Sequence, residues 1–349
     1  MGIYGMVGNR MIKKMMMVLI SLMAVLIIIF LVGNNYNMSE STDTIPTTMG
    51  KLSATITHPK HKKATGIIVF VHGDGAQNAT QDGGYKPLME RFARQGFISV
   101  SWDKLGVGKS TGDWLSQTMD DRSKEVNYVI SWLKKHYPKE STNLGLWGAS
   151  QAGWVIPRVL NERKDIHFSI LVGPAINWLR QGIYDTENHL PNNKNSKVNI
   201  YKAKQEFLKD SKMIEQNNSY NDYKQSGGKE NYNPKRYEFI RKNMHEDATK
   251  YLKTIQSDLY LILADEDINI DSNETEKIYS KEMDPQYLKI KRIPKVGHQM
   301  INPKIASSVV LTDLTAIMAP KYFLINNSYL DYCEDVAKRY SPTISERNE

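Results

Sequence analysis

The run Gly66 to His72, GIIVFVH, constrains the fold more than any other stretch of the chain. Ile67, Ile68, Val69, Phe70 and Val71 leave no polar face, so a strand made from them must be covered on both sides. Similar runs recur at Phe97 to Trp102, Asn143 to Gly148, Phe168 to Val172, Leu259 to Ala264 and Tyr287 to Ile293. Helical patterns separate them. Tyr85, Leu88, Met89 and Phe92 repeat at helical spacing, with Gly96 placed to end the helix. From about Asp120 to Tyr137, Val126, Val129, Ile130, Leu133 and Tyr137 share one face. Acids in its first turn and Lys134, Lys135 and His136 in its last complement the helix dipole. Further helices are expected from Gln151 and near Glu274 to Lys281. Strands alternating with helices of this length predict an α/β protein with a mostly parallel sheet and helices on both faces. With 349 residues, 40% of them hydrophobic, the chain can bury such a core.

The rhythm stops between Pro174 and about Thr254 and then resumes, which predicts one core, 50–173 and 255–341, interrupted by an insertion at 174–254. The insertion is helical in places, and SYNDYKQSGGKENYNPKRYE in its middle reads as loop. Residues 342–349 read as a flexible tail.

Met15 to Val32, MMMVLISLMAVLIIIFLV, is an uncharged run of eighteen residues, long enough to cross a bilayer as a helix. Arg10, Lys13 and Lys14 precede it, and no Lys or Arg follows until Lys51. That bias predicts a cytoplasmic segment at 1–14, a transmembrane anchor at 15–33, a polar linker at 34–49 and a main domain outside the cytoplasm. A cleaved signal peptide is the alternative and would leave the protein secreted. The run is longer than a usual signal core, and VGNNYNMSES lacks a small-x-small cleavage pattern. No cysteine follows it in position for lipoprotein attachment. Cys333 is the single cysteine, so an internal disulfide and a multi-thiolate metal site are both excluded. The net charge of +8 is dispersed, which argues against a nucleic-acid surface.

DKLGVGKSTG, Asp103 to Gly112, ends like a phosphate-binding loop. The strict pattern needs a glycine separated by four residues from the Gly108-Lys109 pair, and that position is Asp103. A carboxylate there repels phosphate, so the spacing argues against a nucleotide.

LGLWGASQAGW, Leu144 to Trp154, carries the chemistry. A nucleophile on a sharp strand-to-helix turn crowds the residues two before and two after it, and here they are Gly148 and Ala152. Ser150 would be pushed out at the end of the sheet, with the Gln151 N–H pointing where an oxyanion forms.

On these residues the chain resembles the α/β hydrolase superfamily, with a helical cap insertion and a Ser-Asp-His triad. The family order implies an acid after a late strand. Gly-x-x-Asp-x-x-Val maps onto Ala264, Asp267 and Ile270, which selects Asp267, with Asp265 the alternative. His298, in PKVGHQM, matches the family's Gly-His loop. His72-Gly73-Asp74-Gly75 resembles its His-Gly turn, making the Asp74 N–H the second oxyanion donor and His72 structural, with the Asp74 carboxylate expected to turn away from the oxyanion. DKLGVGKSTG resembles the family's Asp-x-x-Gly-x-Gly-x-Ser-x-Gly turn, as in esterase-like, dienelactone-hydrolase-like and prolyl-oligopeptidase-like branches. The resemblance implies a cofactor-independent serine hydrolase that cleaves a carboxylic ester through an acyl-serine. A thioesterase or serine peptidase is the near alternative, and a catalytically silent surface binding protein the distant one. A small or acyl substrate is expected, and the membrane is the expected partner of the N-terminal helix. Trp178, Tyr184, Tyr201 and Tyr237 are candidates for an acyl pocket or for packing within the cap.

Overall fold

The computed structural model describes residues 3–190 and 196–342; residues 343–349 of the expected tail lie outside them, as do 1–2 and 191–195. Eight strands form one sheet: β1 (Met38–Pro46), β2 (Lys51–Pro59), β3 (Gly66–Val71), β4 (Phe97–Trp102), β5 (Leu144–Ala149), β6 (Ile166–Val172), β7 (Asp258–Ala264) and β8 (Leu288–Ile293). Their order is β1-β2-β4-β3-β5-β6-β7-β8. From β4 to β8 all neighbours are parallel, whereas β1 and β2 add antiparallel at one edge. β3, β4 and most of β5 are buried along their length, as their unbroken apolar runs require.

The helices are α1 (Ile3–Gly33), α2 (Lys86–Arg94), α3 (Met119–His136), α4 (Ile156–Glu162), α5 (Trp178–Asn188), α6 (Lys197–Gln216), α7 (Tyr220–Gln225), α8 (Pro234–Asn243), α9 (Thr249–Leu252), α10 (Ser272–Glu282), α11 (Pro303–Ala306), α12 (Val309–Met318), α13 (Pro320–Phe323) and α14 (Asn327–Arg339). On one face of the sheet, α3 contributes Val126, Val129, Ile130 and Leu133 to a core shared with Val159 of α4 and Tyr279 of α10. On the other, Leu88, Met89 and Phe92 of α2 pack with Leu330, Cys333 and Val336 of α14. A capping box starts α3: the Thr118 hydroxyl accepts from the Asp121 N–H, and the Asp121 carboxylate accepts from the Thr118 N–H.

Three expectations change. Residues 34–49 are not a linker, because β1 begins at Met38 and pairs with β2 from Met38↔Pro59 to Pro46↔Lys51. As an edge strand, β1 is covered mainly at Met38 and Ile45, so its polar residues show no buried alternation. The presumed loop around Tyr220 to Glu238 contains α7 and the start of α8, which Ser219 and Asn233 cap through their side chains. The helix after Ser150 starts as a 3-10 turn, Ser150–Trp154, before α4. Pro157 has no N–H to continue an α-helical ladder backwards into that turn.

The segment between β6 and β7 is helical, α5 to α9, with its own small core of Ile214, Tyr223, Tyr237 and Met244. At the other end of the chain, Ile12–Gly33 of α1 is a stretch of 22 residues, long and apolar enough to cross a membrane, whose apolar side chains are bare.

Candidate active site

Parallel strands bring their C-terminal ends to one edge, and the predicted site residues follow three of them: Ser150 follows β5, Asp267 follows β7 and His298 follows β8. Ser150 has φ of +55°, a left-handed backbone that costs a non-glycine residue about 1–2 kcal/mol. The turn is correspondingly tight. A Cβ on Gly148 would come within 2.6 Å of the Ala152 Cβ, 2.7 Å of Ile156 Cδ1 and 3.0 Å of the Val71 oxygen. The crowding inferred from the sequence is therefore physical, and alanine fits at 152 because it stays at methyl size.

His298 Nδ1 donates to Asp267 Oδ2 at 2.8 Å. The other carboxylate oxygen, Oδ1, accepts from the backbone N–H groups of Asn269 and Ile270, each at 2.9 Å. These bonds fix the carboxylate plane, and the Asp267 side chain is fully buried. With Nδ1 carrying the proton, Nε2 has its lone pair free to accept one. Asp265 is engaged elsewhere, with Arg292 Nη1 at 3.0 Å from its Oδ1. Between the strands that carry serine and acid lies Gly173, at the end of β6, with φ of +48°. A Cβ there would lie 3.2 Å from Asp267 Oδ2 and 3.3 Å from His298 Nδ1.

The His-Gly turn packs directly on the nucleophile, since a Cβ on Gly73 would be 3.5 Å from Ser150 Cβ. Its carbonyls are held from behind by two buried cations. Lys104 Nζ donates to the Gly73 oxygen at 3.0 Å and to the Gly75 oxygen at 2.9 Å. Arg122 donates to the His72 oxygen through Nη2 and to Gln151 Oε1 through Nη1, both at 2.5 Å. Every peptide bond here is trans, so a carbonyl drawn toward Lys104 turns the next N–H, that of Asp74, the opposite way. The Gln151 N–H lies in the first turn of a helix, where leading N–H groups lack intrahelical partners. Burial, reinforced by the neighbouring Arg122 charge, pushes the Lys104 ammonium well below its ordinary range. Burial likewise lowers Arg122 and raises the adjacent Glu125, which accepts from Trp102 and Gln117 at 2.8 Å each.

His72 is structural. It is 1% exposed, Nε2 meets the Trp102 oxygen at 2.5 Å, and burial followed by the Lys104 charge lowers its pKa to about 3. The Asp74 carboxylate does turn to other partners. Arg236 of α8 binds both its oxygens, at 2.9 and 2.6 Å, and Gln151 Nε2 donates to it at 3.1 Å. The Arg236 guanidinium also lies over the rings of Phe239 and Trp114. One helix of the inserted segment is thereby tied to the loop beside the nucleophile.

In the DKLGVGKSTG turn, the Asp103 carboxylate accepts from the N–H of Ala79 at 2.8 Å and of Lys109 at 3.0 Å. The amide that a phosphate would need at Lys109 is bonded to the chain's own carboxylate, and the turn serves to place Lys104. Among the aromatic candidates, Tyr184 reaches the site, donating to the Asp267 carbonyl oxygen at 2.9 Å. Trp178 stacks on Trp154, Tyr237 is fully buried in the insertion's core, and Tyr201 is 64% exposed. Sequence reasoning did not find Gly173, Lys104, Arg122 or Arg236. Arg122 carried a signal, since it stands four residues before Val126 on the apolar face of α3. A cavity of about 370 Å³ lies within the insertion, lined by Phe207, Met213 and Tyr232 and by none of the triad candidates.

The family model of X-Pro dipeptidyl-peptidases, S15 family, matches residues 50–290. Solved structures of the same fold include an esterase from Pyrococcus furiosus, at 18% identity and TM-score 0.58, covering 87% of this chain and 92% of that one. Est1E from Butyrivibrio proteoclasticus with ferulic acid bound is 14% identical at TM-score 0.54, with 85% and 97% covered. A proline iminopeptidase-related protein from Thermus thermophilus is 18% identical at TM-score 0.52, with 81% and 100% covered. No curated protein matches the chain. The strand order, the serine turn and the matched family together make the chain a serine hydrolase of the α/β hydrolase fold, belonging to the S15 family of X-Pro dipeptidyl-peptidases.

Proposed function

We propose that the chain is a membrane-anchored esterase whose nucleophile is Ser150. The pairing of His298 with Asp267 at 2.8 Å, on the strand edge that also carries the left-handed Ser150, is the observation that supports this reading best. Ser150 Oγ attacks the ester carbonyl carbon while His298 Nε2 takes its proton, and the N–H groups of Gln151 and Asp74 hold the developing oxyanion. The imidazolium, stabilised by Asp267, then protonates the alkoxide as its bond to the acyl carbon breaks, so that an alcohol leaves and an acyl-serine remains. Water, losing a proton to His298, attacks the acyl carbon. The acid departs, and Ser150 recovers its proton.

A second reading, peptidase action on substrates of the X-Pro type, is favoured by the family match and by Asp185. This carboxyl of α5, raised by burial, lies beside the Asp267 loop, with Asn269 Nδ2 at 3.5 Å from its Oδ1, and would meet a substrate ammonium there. Fluorophosphonate labelling of the full chain in detergent, beside Ser150→Ala, tests the nucleophile. A panel of p-nitrophenyl esters and X-Pro p-nitroanilides then separates the readings. Faster turnover of esters is expected, and hydrolysis confined to the anilides would replace esterase by peptidase.

Ile12–Gly33 contains the uncleaved anchor of this proposal, residues 15–33, with residues 1–14 cytoplasmic and the catalytic domain outside. At 1.5 Å per residue its 22 residues reach about 33 Å, enough for the hydrocarbon core. Residues 174–254, lying between the two parts of the core and tied to the site through Arg236, act as a cap that selects substrate. Protease protection in inside-out vesicles checks the topology.

A further inference from the structure

The chain between the His298 loop and α14 contains an apolar element for which the core has no use. In α12, Val310 is 69% exposed and Ile317 60%, and Val309 and Leu314 are also exposed. At 100° per residue, Val310, Leu314 and Ile317 share one side of the helix. Phe323 of α13, 58% exposed, extends the patch. Contiguous apolar surface of this kind marks a contact with another apolar phase.

The same element is joined to the end of α1. Asn34 Nδ2 donates to the carbonyl oxygens of Ile317 at 3.0 Å and Met318 at 3.4 Å. Gly33 packs so closely that a Cβ on it would lie 2.4 Å from the Met318 oxygen. Lys321 Nζ donates to the Asn35 oxygen at 2.7 Å and pairs at 2.8 Å with Glu90 of α2, which is buried in the folded domain. Residues 34–37 alone separate α1 from β1. The apolar helix is thus fastened to the point where the proposed anchor leaves the bilayer, and its bare face continues that of α1.

From this continuity we infer that α12 and α13 form a membrane-surface contact, with Val310, Leu311, Leu314, Ile317 and Phe323 inserted among the acyl chains and headgroups of the leaflet from which α1 emerges, and with the exposed Asp313 at the border of that face kept on its water side. Tyr322 beside them, 45% exposed, is a residue type suited to the headgroup level. The inference rests on the anchor reading of α1. It adds that the catalytic domain is held against the bilayer at two adjoining elements rather than swinging on a tether. Met300 and Ile301, which follow the His298 loop, bond to Asn326 and pair with Ile325 at the base of this element, so the contact and the site share one connected segment.

Cys333 is buried, so cysteines introduced at the surface can be labelled selectively with an environment-sensitive fluorophore. The full chain carries one label at Val310→Cys, at Leu22→Cys in α1, or at Val198→Cys on α6, and is reconstituted into phosphatidylcholine–phosphatidylglycerol vesicles. Lipids brominated just below the headgroup, or deep in the chain, serve as quenchers. The expected result is a blue-shifted Val310 label losing most of its emission to shallow bromines, a Leu22 label quenched by deep ones, and an unaffected Val198 label. Three outcomes overturn the inference. A Val310 label matching Val198 while Leu22 is quenched removes the surface contact and leaves the anchor. A blue-shifted but unquenched Val310 label means that a protein surface, such as a second copy, covers the patch. An unquenched Leu22 label removes the anchor reading and this inference with it.

Discussion

Lys104 Nζ lies 3.0 Å from the carbonyl oxygen of Gly73, and through that bond a buried ammonium orients the N–H of the following residue, Asp74. The same nitrogen also holds Gly75 and sits 4.4 Å from the centroid of the Trp114 ring. It sets the direction of a peptide dipole beside Ser150.

Replacing Lys104 by methionine keeps its volume and removes both bonds. The expected outcome is a kcat lower by roughly tenfold to a hundredfold, below the loss seen when an oxyanion donor is deleted outright, with KM little changed. Steady-state kinetics on a soluble ester, beside a thermal melt showing intact fold, checks it. A rise in KM with kcat little changed would point to a substrate contact instead.

Gly173→Ala tests the space between the acid and the base. Both the backbone at +48° and the 3.2–3.3 Å approaches to Asp267 and His298 oppose a methyl group. The variant should lose about 1–2 kcal/mol of stability from the left-handed backbone alone. A displaced His298 should add a drop in kcat/KM larger than heat-matched controls explain.

Asp267→Asn leaves the shape but removes the charge that holds the Nδ1 proton, and the expected fall in kcat is about 10⁴-fold. Asp265→Asn, which loses a half-exposed pair with Arg292, should retain near-normal activity. Kinetics of the two variants in parallel decides between the two carboxylates, and the reverse ranking would reassign the acid.

Ser150→Gly should raise the melting temperature while abolishing activity, because glycine carries φ of +55° without the penalty serine accepts. Differential scanning calorimetry of the pair measures the strain stored at the turn.

Stability should fall as the medium is acidified, with His72 one cause. Its folded pKa of about 3 lies below the unfolded value near 6.5, so between those values the unfolded chain binds the extra proton. The His72 contribution is fully present above about pH 6.5 and is lost progressively toward pH 3, by roughly 2–3 kcal/mol at pH 4.5. His72→Gln should flatten that part of a denaturant-midpoint profile, and an unchanged slope would assign the acid sensitivity to other groups.

Local pattern was sufficient for the strands from β3 to β8 and for α2 and α3, because each buries a face that must be apolar at its own period. Ser150 was readable because its turn after a strand needs small residues at 148 and 152, and Asp267 and His298 because the segments after β7 and β8 resemble the α/β hydrolase pattern. Other features were decided by partners distant in sequence. β1 is a strand because β2 pairs with it, and its outward side chains carry no sign of that. Asp267 rather than Asp265 meets His298 because the Asn269 and Ile270 amides and Arg292 sort the two carboxylates. Lys104 and Arg122 were not singled out in the sequence, yet both are buried where the His72 to Gly75 carbonyls take donors from behind. A charge is driven inside only where the fold has already gathered the groups that satisfy it. The chain's own order cannot display that gathering.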